Sequence, residues 1–273
     1  MQTSPPVPAS AQETIRVLAA LRGANPLVHC MTNIVVAGFT ANVLLAIGAS
    51  PAMVENAEES AEFAAIADAL LINLGTLSPD KVSAMRLAVA AANRTGTPWV
   101  LDPVAVGALG YRTRFAASLL AENPTVIRGN PSEILSLAGV ANSAGRGVDS
   151  TADSLSAFAA ASDFARKQQT VVALSGAIDY ITDGISTVEV RTGHKMMTRV
   201  TGVGCALGAL VAACSAVEPS PLIAASAATT ILTVAAEVAI ENSQGPGSFA
   251  VALLDSLYAL DASTIHAHLR AKS

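Results

Sequence analysis

The sequence predicts an α/β protein of three layers, in which a central, mostly parallel sheet carries helices on both faces. Short β-branched runs alternate with Ala- and Leu-rich stretches through most of the 273 residues. Four of these runs are continuously apolar, as strands buried on both faces are: 69–73 (ALLIN), 98–102 (PWVLD), 125–129 (TVIRG) and 170–176 (TVVALSG). Parallel strands need crossover connections, and the helical stretches between these runs supply them.

Capping residues delimit the predicted helices. One helix is expected after Ser78, an N-cap residue followed by Pro79 in the first turn, and it should stop at Gly96. A second is expected to begin at Asn33, which is also a good N-cap residue, and to run to about residue 48.

Other segments complete the predicted order. Residues 50–56 (SPAMVEN) predict a short strand, and 180–192 predict two antiparallel strands joined by an Asp-Gly turn. From residue 203 onward the chain reads as nearly all helix. No repeat, linker or shift in composition marks a boundary, so we expect one domain over 11–273 after a flexible tail, 1–10.

Composition excludes several classes of function. Sixteen basic against twenty-one acidic residues give a net charge of −5, with no cluster of Lys and Arg, which argues against nucleic acid as a partner. The tail lacks the basic and apolar segments of a signal peptide, and three cysteines in no metal-ligand spacing favour a reducing cytoplasm. The apolar stretches 203–217 and 222–236 are shorter than the ~20 residues of a membrane span, so we expect buried helices and no membrane.

Polar residues end the predicted strands. Asn73, Asp102, Arg128 and Ser175 each stand at or just beyond the end of a buried run. Ligands of open α/β sheets bind beyond the carboxyl ends of the strands, so these side chains are the first candidates for a site.

Residues 201–205 (TGVGC) place two glycines and a cysteine where a helix starts. The free N–H groups of that turn, with Gly202 and Gly204, suit an anion such as phosphate; alternatively the glycines only allow the turn to form. Cys205 would lie in the first turn, where the helix dipole lowers the pKa of a thiol, or it is a buried small apolar residue, as Cys30 and Cys214 are expected to be. A third glycine one place late makes a dinucleotide fingerprint weak, and a P-loop motif is absent.

Residues 128–133 (RGNPSE) pass from a strand into a helix. Asn130 and Glu133 have the spacing of a capping box, which explains the pair without any function. On the other reading, Arg128 is a phosphate ligand, and Glu133 with Asp102 holds Mg²⁺ through water. Spacing alone leaves both readings open.

Two further segments hold candidates. In 29–36 (HCMTNIVV), His29, Thr32 and Asn33 gather near a predicted helix start. In 50–56, Met53 is by default a core residue.

Six segments, taken together, resemble the hydroxyethylthiazole kinases of thiamin salvage over residues 25–260: HCMTN, SPAMVEN, LDPVAVG, VIRGNPSEI, ALSGAIDYITDG and TGVGC. The resemblance implies a ribokinase-like fold, a homotrimer and ATP as co-substrate with Mg²⁺. It implies transfer of the γ-phosphate to the primary alcohol of 4-methyl-5-(2-hydroxyethyl)thiazole.

The resemblance also implies roles for single residues. In that family the Gly-x-Gly-Cys segment forms the anion hole for the migrating phosphoryl group, and Cys205 stands where related sugar kinases place an aspartate base. The implied roles are, for catalysis, Cys205, Gly202 and Gly204; for ATP, Arg128, Ser175 and Asn130; for the thiazole, Met53, Gly202 and Asn33; for the metal, Asp102 and Glu133. Sites at subunit interfaces would put Met53 and Asn33 opposite Cys205 of a neighbouring chain.

Two positions depart from the family pattern. The family usually has Thr where this chain has Ser175, which keeps the hydroxyl, and Glu where Ala177 stands. The alternatives are another enzyme of the same fold, a hydroxymethylpyrimidine kinase or an ATP-dependent hydrate dehydratase, whose base would normally be Asp, and a nucleotide-binding regulator without catalysis.

Overall fold

The computed structural model describes residues 5–140 and 151–272 and contains one sheet of nine strands. The strands are β1 (Val7–Pro8), β2 (Leu27–Met31), β3 (Ser50–Ala52), β4 (Ala69–Asn73), β5 (Trp99–Asp102), β6 (Val126–Gly129), β7 (Val171–Leu174), β8 (Asp179–Thr182) and β9 (Thr187–Val190). Their order in the sheet is β1-β9-β8-β7-β6-β5-β4-β2-β3. Among these nine described strands, β7/β8 and β8/β9 are the antiparallel pairs, which confirms the mostly parallel sheet.

Eleven α-helices connect and cover these strands within the described residues. They are α1 (Ala11–Ala24), α2 (Ala37–Ile47), α3 (Ala57–Ile66), α4 (Pro79–Thr95), α5 (Gly110–Leu119), α6 (Pro131–Leu137), α7 (Thr151–Gln168), α8 (Val203–Ser215), α9 (Pro221–Glu241), α10 (Pro246–Ala259) and α11 (Ala262–Arg270). Short 3₁₀ turns occupy Leu120–Glu122 and Lys195–Arg199.

Two apolar cores, one on each face of the sheet, confirm the three layers. Helices α1, α2 and α8 to α11 pack on one face, and α3 to α7 pack on the other. Strand residues alternate between the two cores: Ala69 and Leu71 of β4 belong to the first, and Leu70 and Ile72 to the second. Both faces of the parallel sheet are therefore covered by helices and buried, as the continuous apolar runs predict.

Local sequence signals set most boundaries as predicted. The Ser78 Oγ accepts the Lys81 N–H at 3.3 Å, Pro79 opens α4, and Gly96 closes it with a left-handed φ of 74°. The 180–192 hairpin is also confirmed, since Gly184 turns the chain between β8 and β9 with φ of 86°. In the expected tail, Val7 and Pro8 form β1, and residues 1–4 lie outside the described residues.

The predicted N-cap of α2, Asn33, was wrong by three residues. The helix begins at Ala37, its N-cap position is Val36, and the side chain of Val36 makes no capping hydrogen bond. Asn33 does not cap the helix because its side-chain amide points to Asn73 and Cys205. A turn, closed by the Val36 N–H on the Asn33 carbonyl at 3.2 Å, separates the two positions.

The apolar helices of the carboxyl-terminal third are core helices in this fold. The second expected apolar stretch is longer than predicted, since α9 has 21 residues and is long and apolar enough to cross a membrane. Of its most apolar window, 78% is buried among the other elements. Burial within the protein accounts for its hydropathy.

Candidate functional site

The polar strand ends meet along one edge of the sheet. Strands β4 and β5 pair in the register that sets Asn73 opposite Asp102, and β6 and β7 pair so that Arg128 is opposite Ala173. Helix α8 packs across β4 and β5, and its first turn therefore lies over this edge. The expected cluster at the carboxyl ends of the strands is present.

Glycines let the start of α8 approach these side chains. A Cβ on Gly204 would lie 3.0 Å from one terminal nitrogen of Arg128, and a Cβ on Gly208 would lie 3.3 Å from the Asp102 carboxylate. Gly202 has φ of 93°, and a Cβ there would lie 2.9 Å from Val36. The backbone of this helix start therefore contacts the site without intervening side chains.

A chain of amide side chains connects Asp102 with the loop after β2. The Asn73 Nδ2 donates to Asp102 Oδ2 at 2.7 Å, and the Asn73 Oδ1 accepts from Asn33 Nδ2 at 3.0 Å. The Gly75 N–H also donates to this oxygen at 3.0 Å, which fixes the orientation of the Asn73 amide. Asn33, Asn73 and Asp102 thus form one buried, ordered network.

Asp102 is fully buried at the centre of the site. Burial raises the pKa of its carboxyl to about 7; Arg128 and the Asn73 donor lower it, and Glu133 raises it. Its Oδ1 atom is buried and has no protein hydrogen-bond partner. An oxygen of this kind is available to a water molecule, a cation or a donor from a ligand.

Cys205 lies in the first turn of α8, as predicted, and is half-buried. Of the two readings of this residue, burial prevails over a lowered pKa: burial, followed by the charge of Asp102, raises the pKa of the thiol, although Asn73, Arg128 and Asn33 act in the opposite direction. Desolvation is the largest of these effects because the turn is packed against the sheet edge. Cys30 and Cys214 are buried, as expected, and burial raises the pKa of Cys30 to about 12.

Asn33 faces Cys205 of its own chain. Its Nδ2 lies 3.5 Å from the Cys205 Sγ, so the expectation that Asn33 faces a neighbour's cysteine is corrected. The reason is topological, because β2 is adjacent to β4 and its following loop reaches the start of α8. Met53 follows the edge strand β3 and is half-buried. It packs against the core on the side of α1, α2 and α8 to α11, in agreement with the expectation of a core contact.

Arg128 and Ser175 form the basic part of the site. A terminal Arg128 nitrogen donates to the Ser175 Oγ at 2.8 Å, and the buried Arg128 Nε has no protein partner. Asp179 accepts the Gly176 N–H at 2.9 Å, and burial raises the pKa of this carboxyl to about 6 against the opposing effects of that bond and Arg128. The guanidinium keeps donors for an anionic ligand.

Glu133 and Asn130 form the predicted capping box. The Asn130 Oδ1 accepts the Glu133 N–H at 3.0 Å, and Glu133 Oε2 accepts the Asn130 N–H at 2.9 Å. The other oxygen, Oε1, accepts the Ala105 N–H at 3.0 Å. Both Glu133 oxygens are engaged, so this carboxylate fits a cation held through water better than one ligated directly.

Sequence reasoning assigned no role to three residues of this region. Asn73 ends a predicted strand, but a lone asparagine gives no sign that it connects two others. Asp179 lies in the quoted segment ALSGAIDYITDG without being singled out. Lys81, in the first turn of α4, reaches the loop after β2, and only the three-dimensional structure reveals that contact.

The sheet order, the glycine turn at α8 and the adjoining Arg128 and Asp102 define a phosphotransferase of the ribokinase-like type. A solved structure shares this fold. The ADP/ATP-dependent NAD(P)H-hydrate dehydratase of Bacillus subtilis superposes with a TM-score of 0.58 at 16% identity, over 92% of this chain and 97% of that one, which shows the fold alone.

The chain belongs to the hydroxyethylthiazole kinase family, whose model matches residues 18–263. A hydroxyethylthiazole kinase of Kineococcus radiotolerans is 54% identical over 264 residues, covering 97% of this chain and 95% of that protein. The structure of a hydroxyethylthiazole kinase protein from Pyrococcus horikoshii has a TM-score of 0.87 at 40% identity, over 93% of this chain and 96% of that one. The ribokinase-like fold and the family expected from the motifs are confirmed.

Proposed function

We propose that this protein transfers the γ-phosphate of ATP to the primary alcohol of 4-methyl-5-(2-hydroxyethyl)thiazole in thiamin salvage. The observation that carries the proposal is the start of α8, where glycine backbone lies between Arg128 and Cys205 at the carboxyl edge of the sheet. Family membership supports the substrate. Phosphoryl transfer needs chiefly positioning and charge stabilisation, for which this arrangement is suited.

ATP binds, in this proposal, along the basic side of the site. Arg128 neutralises phosphate charge with the donors that Ser175 does not use, and Ser175 orients both the guanidinium and the nucleotide. Asn130 contributes from the start of α6, although its Oδ1 already caps that helix. The serine in place of the usual threonine keeps the hydroxyl on which this role depends.

The first turn of α8 receives the migrating phosphoryl group. The backbone amides from Gly202 to Cys205 belong to the first turn, whose N–H groups have no partner within the helix. They and the helix dipole stabilise negative charge that develops on the equatorial oxygens. Gly202 and Gly204 keep this turn open to the phosphoryl group because neither has a side chain.

Cys205 assists removal of the proton from the alcohol. Because burial and Asp102 raise its pKa, the thiolate is scarce at neutral pH but strongly basic when it forms. Its catalytic contribution should therefore be partial. Asn33, 3.5 Å from the sulfur, and Met53 contact the thiazole in this proposal.

Mg²⁺ is the proposed metal, and Asp102 with Glu133 would hold it. The unpartnered, buried Oδ1 of Asp102 fits a hard cation, and Glu133 would act through water. Among the residues that the structure describes, no group of three or more His, Cys, Asp or Glu side chains could bind a metal, so ATP phosphates would complete the coordination. When bound, Mg²⁺ neutralises phosphate charge.

Assembly and location complete the proposal. We propose a homotrimer with sites near subunit interfaces, in which Met53, beyond the edge strand β3, lies close to a neighbouring chain. The cytoplasm is the proposed compartment, with small-molecule substrates and neither nucleic acid nor membrane as partners.

The test is coupled ADP release with Mg-ATP and three alcohols in parallel: hydroxyethylthiazole, hydroxymethylpyrimidine and ribose. We expect turnover with the thiazole only. Turnover with the pyrimidine instead would replace the proposed substrate within the same fold. If none of the three alcohols gave ADP release, the result would contradict the proposal and favour a hydrate dehydratase or a non-catalytic nucleotide binder.

A further inference from the structure

Lys81 joins two loops at the edge of the site. Its Nζ lies 2.9 Å from Glu55 Oε1 and 3.2 Å from the Thr32 carbonyl oxygen, and its side chain is only 18% exposed. The two partners lie in the loops after β3 and β2, and Lys81 itself belongs to α4. One ammonium group therefore connects three elements of the fold.

The stability of α4 does not explain a lysine at this position. Lys81 is the third residue of the helix, three positions after the N-cap Ser78. A positive charge in the first turn is unfavourable because the helix dipole places positive charge there, and a capping box would use Glu or Gln at this position. The contacts with Glu55 and Thr32 are what offset this cost.

The two loops that Lys81 joins carry the proposed thiazole contacts. Thr32 directly precedes Asn33, whose amide lies 3.5 Å from the Cys205 sulfur. Glu55 lies two residues after Met53. A shift of either loop would therefore change the distance between the two proposed contact residues.

His29 also bonds to the loop after β3. It is fully buried in β2, and its Nε2 lies 2.8 Å from the Val54 carbonyl oxygen, so the neutral ring donates there. Burial lowers the pKa of this imidazole, which keeps the ring neutral. The two residues that follow Met53 are therefore both held: Val54 by His29, and Glu55 by Lys81.

We propose that Lys81 is a positioning residue for the thiazole, which it orients through the loops after β2 and β3 without contacting the reacting atoms. The inference rests on the proposed function. Because its hydrogen bonds and its ion pair are made to these loops and not to Arg128 or Ser175, the loss of Lys81 should raise the KM for the thiazole and leave the KM for ATP unchanged.

Lys81→Gln separates this role from the stability of the helix. Glutamine at this position can form a capping box with Ser78, which offsets the lost contacts with Glu55 and Thr32, so the melting temperature should stay close to that of wild type. We expect the KM for the thiazole to rise about 3- to 10-fold, the order expected for a partly exposed ion pair with one further hydrogen bond. Lys81→Arg, which keeps the charge and the donors, should remain close to wild type.

Arg86→Gln is the matched control, since Arg86 is another cation on α4 and contacts Ser118 and the Phe115 ring instead. It should leave both KM values unchanged. Glu55→Gln tests the same contact from the partner side and should raise the thiazole KM less, because Lys81 keeps the Thr32 carbonyl. An active wild type with unchanged thiazole KM in both Lys81→Gln and Glu55→Gln would overturn the inference, as would equal changes in both KM values. A wild type inactive on the thiazole would instead overturn the proposed function.

Discussion

Asp102 and Cys205 show how burial decides the chemistry of single residues at this site. Both lie near a helix start and near Arg128, which favour their ionised forms, yet burial raises both pKa values. Solvation is therefore the larger effect for groups packed between the sheet edge and α8. A ligand that supplied positive charge would reverse this balance.

At the residue scale, Cys205→Ala should reduce turnover without abolishing it. A general base contributes about 10²–10⁴-fold, while the backbone amides and Arg128 remain in the variant. Steady-state kinetics with Mg-ATP and the thiazole measure the loss. Cys205→Asp should retain more activity than Cys205→Ala because a carboxylate can accept the proton. Unchanged turnover in Cys205→Ala would remove the proton-accepting role.

Sequence reasoning identified candidates that had a local signal. Asp102, Arg128 and Ser175 end apolar runs, and Cys205 follows a glycine turn. The resemblance selected Asn33, and the alternative that it caps α2 was wrong, because an N-cap and a buried network amide have the same local appearance. Asn73 also ends an apolar run, but its bond to Asp102 joins positions distant in sequence, as the contacts of Lys81 do, so no local pattern indicates these roles.

At the scale of elements, caps made the boundaries predictable. Ser78 and Gly96 delimit α4, and Asn130 with Glu133 begins α6, because these side chains satisfy backbone groups that are local in sequence. The start of α2 was not predictable in this way. Its first turn has no side-chain cap, because the side chain of Asn33, the predicted cap, is hydrogen-bonded to Asn73 instead.

The carboxyl-terminal helix α11 offers a test of capping. The Asp261 carboxylate accepts the Thr264 N–H at 2.8 Å and also the hydroxyls of Ser263 and Thr264. Asp261→Ala should speed amide hydrogen exchange in α11 at neutral pH, measured by mass spectrometry. Asp261→Asn, which keeps an N-cap acceptor, is the control and should show a smaller change. Equal exchange in all three proteins would contradict a capping role.

The same helix has a defined pH dependence. The bonds from Thr264 and then Ser263 lower the pKa of Asp261 from 3.8 to about 2. A carboxyl group with a lowered pKa in the folded state stabilises the fold above its unfolded pKa and loses that effect as the pH falls. The advantage of wild type over Asp261→Asn should therefore disappear between about pH 4 and pH 2.

At the scale of the whole molecule, the sheet order creates the site. Residues from β2, β4, β5, β6 and β7 meet because parallel strands end at the same edge, and this could be predicted from alternating strands and helices. The pairing of β2 with β4 could not be predicted, since it requires β3 to lie at the edge of the sheet, on the other side of β2. That relation brings Asn33 to the Cys205 of its own chain.

Mg-ATP should stabilise the whole domain. A ligand at 100 times its Kd adds about 2.7 kcal/mol, and for domains of this size each kcal/mol raises Tm by about 2–4 °C, so a shift of about 5–10 °C is expected. Differential scanning fluorimetry measures it. Arg128→Met should remove most of the shift, whereas Arg94→Met, an exposed cation at the end of α4, should not. An equal shift in Arg128→Met would contradict the proposed contact between Arg128 and ATP.

Both outer strands of the sheet carry a proline on the side that faces away from the sheet. The Ala9 N–H and the Ser50 N–H donate inward, so the neighbouring positions Pro8 and Pro51 face outward, where a proline has no N–H to offer. An added strand would find too few donors at either edge. Pairing of either edge with a strand of another chain is therefore disfavoured, and with it the edge-to-edge growth of a fibril.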